Sequence, residues 1–168
     1  MKSLLILRHG KSSWKNPNLP DHERPLNRRG KRNAAQIGLL IQKENLTPDV
    51  IYASSAKRTR ATAKRVAKKS NYSGLIFKVK DLYLATGETY LHLVHQGSDS
   101  VNCVLLVGHN PGLEELLTAL TGEQSALPTA ALAQVELPID TWSEIGHGVR
   151  GSLKQLWKPC RSTDRLVY

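Results

Sequence analysis

The chain of 168 residues has few cysteines and few aromatic residues, and it has no long hydrophobic run. Its two cysteines, Cys103 and Cys160, fit neither a disulfide framework nor a Cys-x-x-Cys metal site, so we predict two structural thiols, with Cys103 buried. No apolar run approaches the roughly 18–20 residues that a membrane span needs. The apolar stretch 4–7 is also shorter than the core of a signal peptide. These absences exclude a disulfide-stapled scaffold and a membrane protein, and they predict a cytoplasmic location.

Positive charge dominates the first half of the sequence. Residues 1–80 hold 19 Lys and Arg against 4 Asp and Glu, a balance of +15, whereas residues 81–168 hold 5 against 10, a balance of −5. A basic surface of this kind attracts phosphate groups, nucleic acid or an acidic protein, because the summed field raises the local concentration of anions. The alternative interpretation is a solvated basic helix face that binds no ligand.

Short apolar runs predict strands, and apolar residues at helical spacing predict helices between them. The predicted strands span residues 2–7, 50–53, 75–79, 102–107, 131–137 and 153–157, and the predicted helices span residues 28–43, 56–69 and 88–96, with a fourth after Asn110-Pro111. Asn27, Ser54, Ser55 and Asn110 are predicted to cap helices. The alternation predicts one domain over residues 1–168 with an α/β fold, a three-layer α/β/α sandwich around a mostly parallel central sheet.

Three of the predicted strands end next to basic residues. Arg8-His9-Gly10 follows the first strand, Arg58 lies one turn into the helix after the second, and Gly108-His109-Asn110 follows the fourth. Ligands of such sheets bind at the carboxyl ends of the strands, so these residues are predicted to converge on one crevice. Arginines, histidines and a helix N-terminus supply the bidentate donors, positive charge and N–H groups that a phosphoryl dianion needs. We therefore expect Arg8, Arg58, His109 and Asn110 to bind phosphate.

Arg58 is one of several cations on its predicted helix. Lys57, Arg60, Lys64 and Lys68 recur every three or four residues, which predicts one exposed basic edge. Composition alone does not separate Arg58 from Arg60. The spacing from the two preceding serines favours Arg58 as the residue that reaches the crevice.

The remaining histidines lack the neighbours that a metal site needs. His92 and His95 are three residues apart, which suits two ligands on one helix face, but no third histidine accompanies them. We predict that both are surface residues, and that His22 and His147 lie in loops. No metal and no cofactor are expected.

Four motifs lie between residues 4 and about 120. They read LILRHGKSSW at 5–14, DxxRPLNxRG at 21–30, SSxxRTxxTA at 54–63 and VGHNPG at 107–112. This set resembles the histidine phosphatase (phosphoglycerate mutase-like) superfamily, and the KSSW and RPLN segments are similar to its small SixA-like branch. The third motif matches the family pattern SxxxRAxxTA except that Thr59 replaces alanine, so the resemblance assigns Arg58 to the phosphate pocket.

The resemblance implies a metal-independent phosphatase that forms a covalent phosphohistidine. His9 is then the nucleophile, and water later hydrolyses the phosphoryl group from its ring. The nucleophile must be a neutral imidazole, and the cations Arg8, Arg58 and, as a further candidate, His109 would disfavour its protonation. The same cations would stabilise the equatorial oxygens of the transferred phosphoryl group.

The resemblance also implies a carboxylic acid that protonates the leaving group when that group is an alkoxide. Glu88 lies in the corresponding region, and Asp21 is a second candidate, although neither belongs to a recognisable acid motif. The alternative role for Glu88 is a charge that stabilises the N-terminus of its helix.

The spacing of the motifs bears on the substrate. Fifty residues separate Arg58 from His109, which is too few for the lid segment of larger members of the superfamily and predicts an open pocket. An open pocket suits phosphohistidine or another phosphorylated residue on a protein surface better than a small molecule. A phosphatase or pyrophosphatase for small molecules at the same site remains the alternative. A basic nucleic-acid-binding module is a third interpretation that no motif supports, so neither a nucleic acid nor a membrane is expected as a partner.

Overall fold

Strands and helices alternate along the chain from residue 2 onward. The computed structural model describes residues 1–146, 148–159 and 166–167. The strands within them are β1 (Lys2–Arg8), β2 (Val50–Ser54), β3 (Ile76–Val79), β4 (Cys103–Gly108), β5 (Leu132–Leu137), β6 (Ser152–Pro159) and β7 (Leu166–Val167). The helices are α1 (Arg28–Lys43), α2 (Lys57–Lys69), α3 (Gly87–His95) and α4 (Gly112–Thr121), and short 3₁₀ turns span Asp21–Glu23, Lys80–Leu82 and Trp142–Glu144. Every predicted strand and helix is present, and β7 was not predicted.

The strands form one sheet in the order β3-β2-β4-β1-β5-β6-β7. The pairs β3-β2, β2-β4 and β4-β1 are parallel, whereas β5, β6 and β7 run antiparallel to their neighbours at one side of the sheet. The parallel group places the carboxyl ends of β1, β2 and β4 side by side, since Arg8 lies opposite Gly108 in the register. The prediction of a mostly parallel central sheet is confirmed.

The two faces of the sheet support separate helix layers. On β1, Leu4 and Ile6 are buried with residues of α3 and α4, whereas Leu5 and Leu7 are buried with residues of α1 and α2. This alternation follows from the two-residue period of a strand, which sends successive side chains to opposite faces. The three-layer α/β/α sandwich is therefore confirmed.

One of the predicted helix caps is confirmed and three are wrong. The Asn27 side chain accepts a hydrogen bond from Gly30 N–H at 2.8 Å, as an N-cap does. Pro111 rather than Asn110 is the N-cap of α4, because the Asn110 side chain is bound elsewhere. Ala56 is the N-cap of α2, since Ser54 Oγ lies 2.7 Å from His109 Nε2 and Ser55 Oγ lies 2.9 Å from His22 Nε2.

The described residues bear on two further predictions. Cys103 is half-buried rather than buried, and burial raises the pKa of its thiol to about 11. No helix within the described ranges is long and apolar enough to cross a membrane. The predictions for Cys160 and His147 fall outside the described residues, and the single domain over residues 1–168 and the cytoplasmic location stay predictions.

Candidate active site

Two histidines meet at the carboxyl ends of adjacent parallel strands. His9 follows β1 and His109 follows β4, and His9 N–H donates to Gly108 C=O at 3.1 Å. Their ring centroids lie 5.1 Å apart, and both side chains are buried. They line a cavity of about 250 Å³ together with Arg8, Lys11, Ser12, Trp14, Arg24, Arg58, Leu84, Asn110 and Thr129. The topology therefore brings together the residues expected at the three strand ends.

The hydrogen bonds of His9 define which ring nitrogen holds the proton. Nδ1 lies 2.8 Å from the Gly10 carbonyl oxygen, which only accepts, so Nδ1 is protonated. Nε2 accepts from Arg58 Nε–H at 3.3 Å and therefore keeps its lone pair. Burial is the main cause that lowers the pKa of His9 to about 4, and the charges of Arg58 and Arg8 add to it against the opposing Gly10 bond. The ring is therefore neutral at physiological pH, with a free lone pair on Nε2.

Arg58 lies in the first turn of α2 and is only 6% exposed. Its guanidinium donates to His9 Nε2, to Asp21 C=O at 2.7 Å and to Asp21 Oδ2 at 3.0 Å. A fourth contact, at 3.5 Å, reaches His109 Nδ1. Because the planar group spans both histidines, the structure places Arg58 where the spacing from Ser54 and Ser55 predicted it.

Arg8 contributes a second guanidinium from the end of β1. One of its terminal nitrogens donates to Leu127 C=O at 2.9 Å. Its Nε is buried and has no hydrogen-bond partner in the described part of the chain. A buried N–H without an acceptor is costly, so the free protein tolerates this cost while the Arg8 side chain lines the cavity.

His109 is also neutral in this arrangement. Its Nε2 lies 2.7 Å from Ser54 Oγ, and its Nδ1 accepts the long contact from Arg58. Burial is the main cause that lowers the pKa of His109 to about 3, and neighbouring His9 and Arg58 lower it further. A phosphoryl dianion in the cavity would oppose these effects and favour protonation at Nδ1, which would turn His109 into a donor.

Together these groups fit a tetrahedral oxyanion better than a metal ion. Guanidinium groups bind phosphate oxygens bidentately, and the neutral His9 supplies a nitrogen lone pair beside them. Among the described residues, no group of three or more His, Cys, Asp or Glu side chains is placed to hold a metal ion. The site can therefore bind a phosphoryl group and present a nucleophile to it.

Comparisons with known proteins decide the family. Residues 4–80 match the model of the histidine phosphatase superfamily, branch 1. A crystal structure from Agrobacterium tumefaciens, of a protein assigned as the phosphohistidine phosphatase SixA, superposes with a TM-score of 0.82 and 32% identity, covering 94% of this chain and 98% of that one. The chain belongs to the histidine phosphatase superfamily. It is a phosphatase of the small SixA-like branch.

Two more relatives show how widely this fold is used. An uncharacterized chloroplastic protein of Arabidopsis thaliana is 28% identical over 152 residues, which cover 85% of this chain and 70% of the relative. A mycobacterial glucosyl-3-phosphoglycerate phosphatase superposes with a TM-score of 0.70 at 15% identity, covering 92% of this chain and 98% of that one. The second comparison shows a shared fold alone.

Arg24 is a member of this histidine phosphatase site that the sequence analysis did not assign. Arg24 is 7% exposed. Its guanidinium donates to Ser12 Oγ and to Asp21 Oδ1 at 3.0 Å, and it lies 3.2 Å from the centroid of the exposed Trp14 ring. The signal was present, because Arg24 belongs to the motif at residues 21–30. Only the fold shows that this loop returns to the cavity.

Asn110 lines the cavity, but both N–H donors of its side-chain amide bind other groups of the protein. Nδ2 donates to Glu114 Oε1 at 2.8 Å and to Leu127 C=O at 2.9 Å. The remaining side-chain atom, Oδ1, is an acceptor and would repel a phosphate oxygen. The amide therefore braces the loop at Leu127, the residue that also accepts from Arg8.

The two candidate acids occupy different places. Glu88 is exposed in the first turn of α3 and lines a separate cavity with Leu91, His92 and His95, so the structure does not bring it to His9. Asp21 is at the site, but its carboxylate is bound by arginines and by the Tyr83 hydroxyl at 2.7 Å. Burial would raise the pKa of Asp21, yet the hydrogen bonds from Tyr83 and Arg58 outweigh it and lower the pKa. Asp21 is thus ionised and holds no proton to give.

Proposed function

We propose that the chain removes phosphoryl groups from phosphohistidine on proteins, through a phosphoryl group carried on His9 Nε2. The observation that carries the proposal is the tautomer of His9, whose Nε2 keeps a lone pair next to Arg58 Nε–H at 3.3 Å. A neutral ring nitrogen beside cations is the activated nucleophile that phosphoryl transfer to histidine requires.

The reaction has two displacement steps. In the first, His9 Nε2 attacks phosphorus, the bond between phosphorus and the substrate nitrogen breaks, and the substrate imidazole leaves with a proton from solvent. In the second, water attacks the phosphorus on His9, releases inorganic phosphate and restores the neutral ring. Arg8, Arg24 and Arg58 stabilise the charge on the equatorial oxygens in both steps.

The absence of a ready acid favours phosphohistidine over phosphate esters. Asp21 is ionised and Glu88 lines another cavity, so neither is poised in the described structure to protonate an alkoxide. An imidazole leaving group accepts its proton from solvent, whereas an alkoxide needs an acid at the moment of cleavage. The exposed side chains of Trp14 and Leu84, 69% and 75% exposed, line the cavity and suit contact with a protein surface.

A phosphatase for small phosphate esters or pyrophosphates is the second candidate. A cavity of about 250 Å³ would hold a phosphoryl group and a small substituent. This function would require an acid at the leaving group: Glu88 would have to move into the site, or Asp21, which is already there, would have to gain a proton on binding.

Phosphate release from phosphohistidine proteins and from small phosphate esters, measured for wild type and for His9→Ala, tests the proposal. We expect faster release from phosphohistidine and a loss of release in His9→Ala. Brief reaction with labelled substrate and an alkaline quench, in which phosphohistidine survives, should leave label on the wild-type chain. Label that persists in His9→Ala, or a strong preference for one soluble ester, would overturn it.

A further inference from the structure

A second cavity adjoins the His9 site on the far side of Tyr83. It has a volume of about 460 Å³ and is lined by His22, Glu23, Ser55, Arg60, Lys78, Lys80 and Tyr83. The Tyr83 ring packs edge-on against His109 on one side, at 5.7 Å between centroids, and against His22 on the other, at 4.8 Å. Tyr83 therefore separates two cavities that are neighbours.

Three cations from three different elements meet in this second cavity. Arg60 comes from α2, Lys78 from β3 and Lys80 from the following 3₁₀ turn. Arg60 is held in place by its Nε–H, which donates to Ser55 C=O at 2.9 Å, so it does not extend along the exposed basic edge predicted for it. Lys78 and Lys80 form no ion pair with a carboxylate of the described residues.

The one carboxylate in the cavity is already engaged. Glu23 Oε1 lies 2.8 Å from His22 Nδ1, and the hydrogen bond from His22 is the main cause that lowers the pKa of Glu23. The lysines and Arg60 thus outnumber the negative charge, and their field favours an anion in the cavity.

We infer that this cavity is a second anion subsite, which binds an acidic side chain of the phosphorylated protein while its phosphohistidine occupies the His9 cavity. The inference rests on the proposed function. The Tyr83 ring contacts His109 of one cavity and His22 of the other, so a peptide segment of a few residues, at about 3.3 Å each, spans the two cavities. The shared chemistry is a substrate with a second anionic group, either a carboxylate side chain or a second phosphate.

Kinetics with matched peptides test the subsite. One phosphohistidine peptide series carries a single Glu at each of the four positions after the phosphohistidine, and a matched series carries Gln. For wild type we expect kcat/KM to be about five- to tenfold higher for the best Glu peptide than for its Gln partner, mainly through KM. The double variant Lys78→Ala with Lys80→Ala should lose this preference and keep its rate on the Gln peptide.

A matched control separates a subsite from the general basic field. Lys64→Ala with Lys68→Ala also removes two positive charges, but from exposed positions of α2 that do not line either cavity. It should keep the Glu preference. Equal loss of the preference in both double variants would overturn the subsite, as would a preference that survives in Lys78→Ala with Lys80→Ala.

Two further comparisons complete the test. The first distinguishes a failure of the subsite from a failure of the proposed function, and the second distinguishes a carboxylate from a second phosphate as the bound anion. Release from the Gln peptides but no Glu preference would overturn the subsite and leave the proposed function standing, whereas no release from either series would overturn the proposed function. A sugar bisphosphate that is hydrolysed faster than its monophosphate and the Glu peptides, with dependence on Lys78 and Lys80, would overturn the protein source of the anion.

Discussion

The two ends of β1 carry cations that differ in what they bind. At the amino end, Lys2 is 4% exposed and its Nζ donates to Asp99 C=O at 2.7 Å, Val101 C=O at 2.9 Å and Asn102 Oδ1 at 3.1 Å. At the carboxyl end, Arg8 Nε is buried without a partner in the described part of the chain. All three donors of the Lys2 ammonium group have an acceptor, whereas one donor of the Arg8 guanidinium has none.

The difference distinguishes a cation that stabilises the fold, Lys2, from a cation that serves a binding site, Arg8. The three donors of an ammonium group match the three acceptors around Lys2, so that contact stabilises the loop before β4. The unsatisfied donor of Arg8 costs stability in the free protein. Arg8 lines the His9 cavity, where its positive charge is held in place before a phosphoryl group binds, which is how a preorganised site differs from a well-packed one.

The largest expected effect is on catalysis at the Arg8 end. Arg8→Ala should lower kcat/KM, and the fall should correspond to a loss of about 2–4 kcal/mol of transition-state stabilisation, because the substitution removes a preorganised donor. The free energy of unfolding should change by less than about 1 kcal/mol, since an unpartnered buried N–H is lost together with one hydrogen bond. Steady-state kinetics and urea unfolding measure the two quantities. Lys64→Ala, on the exposed side of α2, is the control, and a loss in its kcat/KM as large as that of Arg8→Ala would refute the assignment.

At the Lys2 end the pattern should be reversed. Lys2→Met keeps the aliphatic stem but leaves Asp99 C=O without the ammonium donor, so the free energy of unfolding should fall by about 1–3 kcal/mol. Val101 C=O keeps the Trp142 Nε1–H donor at 2.8 Å. The kcat/KM of the folded enzyme at 25 °C should stay unchanged. A fall in kcat/KM without a fall in stability would mean that the two ends are not distinct in this way.

The sequence predicted most of the fold because its signals are local. Hydrophobic periodicity defined the strands and helices, and the short connections then made a layered sheet the natural arrangement. The cap of α4 was missed, since Asn110 has a good capping side chain that is drawn away by a local hydrogen bond to Glu114 and a long-range one to Leu127 C=O. The Ser54 and Ser55 hydroxyls likewise form hydrogen bonds with His109 and His22 instead of capping α2.

The site was predictable where a residue directly follows a strand. His9, Arg8 and His109 follow from the rule that ligands bind at the carboxyl ends of parallel strands. Arg24 and Tyr83 lie on loops whose return to the site depends on long-range packing, and no sequence period encodes that. Glu88 shows the converse, because a suitable residue type near the expected position lines another cavity.

The buried histidines at the carboxyl end predict a pH dependence of stability. The pKa values of His9 and His109 are lowered to about 4 and about 3 in the folded chain, so the unfolded chain binds more protons as pH falls below its histidine pKa near 6.5. Stability is therefore full above that pKa and declines as pH falls toward 4, by about 1 kcal/mol between pH 7 and pH 6. Urea unfolding across this range measures it.

Substitution identifies which histidines cause that decline. His9→Asn removes one titrating group whose pKa is lowered in the folded chain and should flatten the dependence. An unchanged slope in His9→Asn would show that His9 is not buried as a neutral histidine.

The smallest expected effect concerns the support beneath His109. Buried Tyr90 accepts the His109 N–H at its hydroxyl oxygen at 3.1 Å, and burial raises the pKa of that hydroxyl to about 12, so it stays neutral. Tyr90→Phe leaves the N–H without this acceptor and should lower the free energy of unfolding by about 1 kcal/mol. The kcat/KM should fall by less than about fivefold, because the His109 ring keeps its Ser54 contact. Gly108 packs against this hydroxyl, where a Cβ would collide with it, so Gly108→Ala should displace Tyr90 and harm both quantities more. A Tyr90→Phe variant that loses as much activity as Arg8→Ala would show that the Arg8 guanidinium is not what distinguishes the two ends of β1.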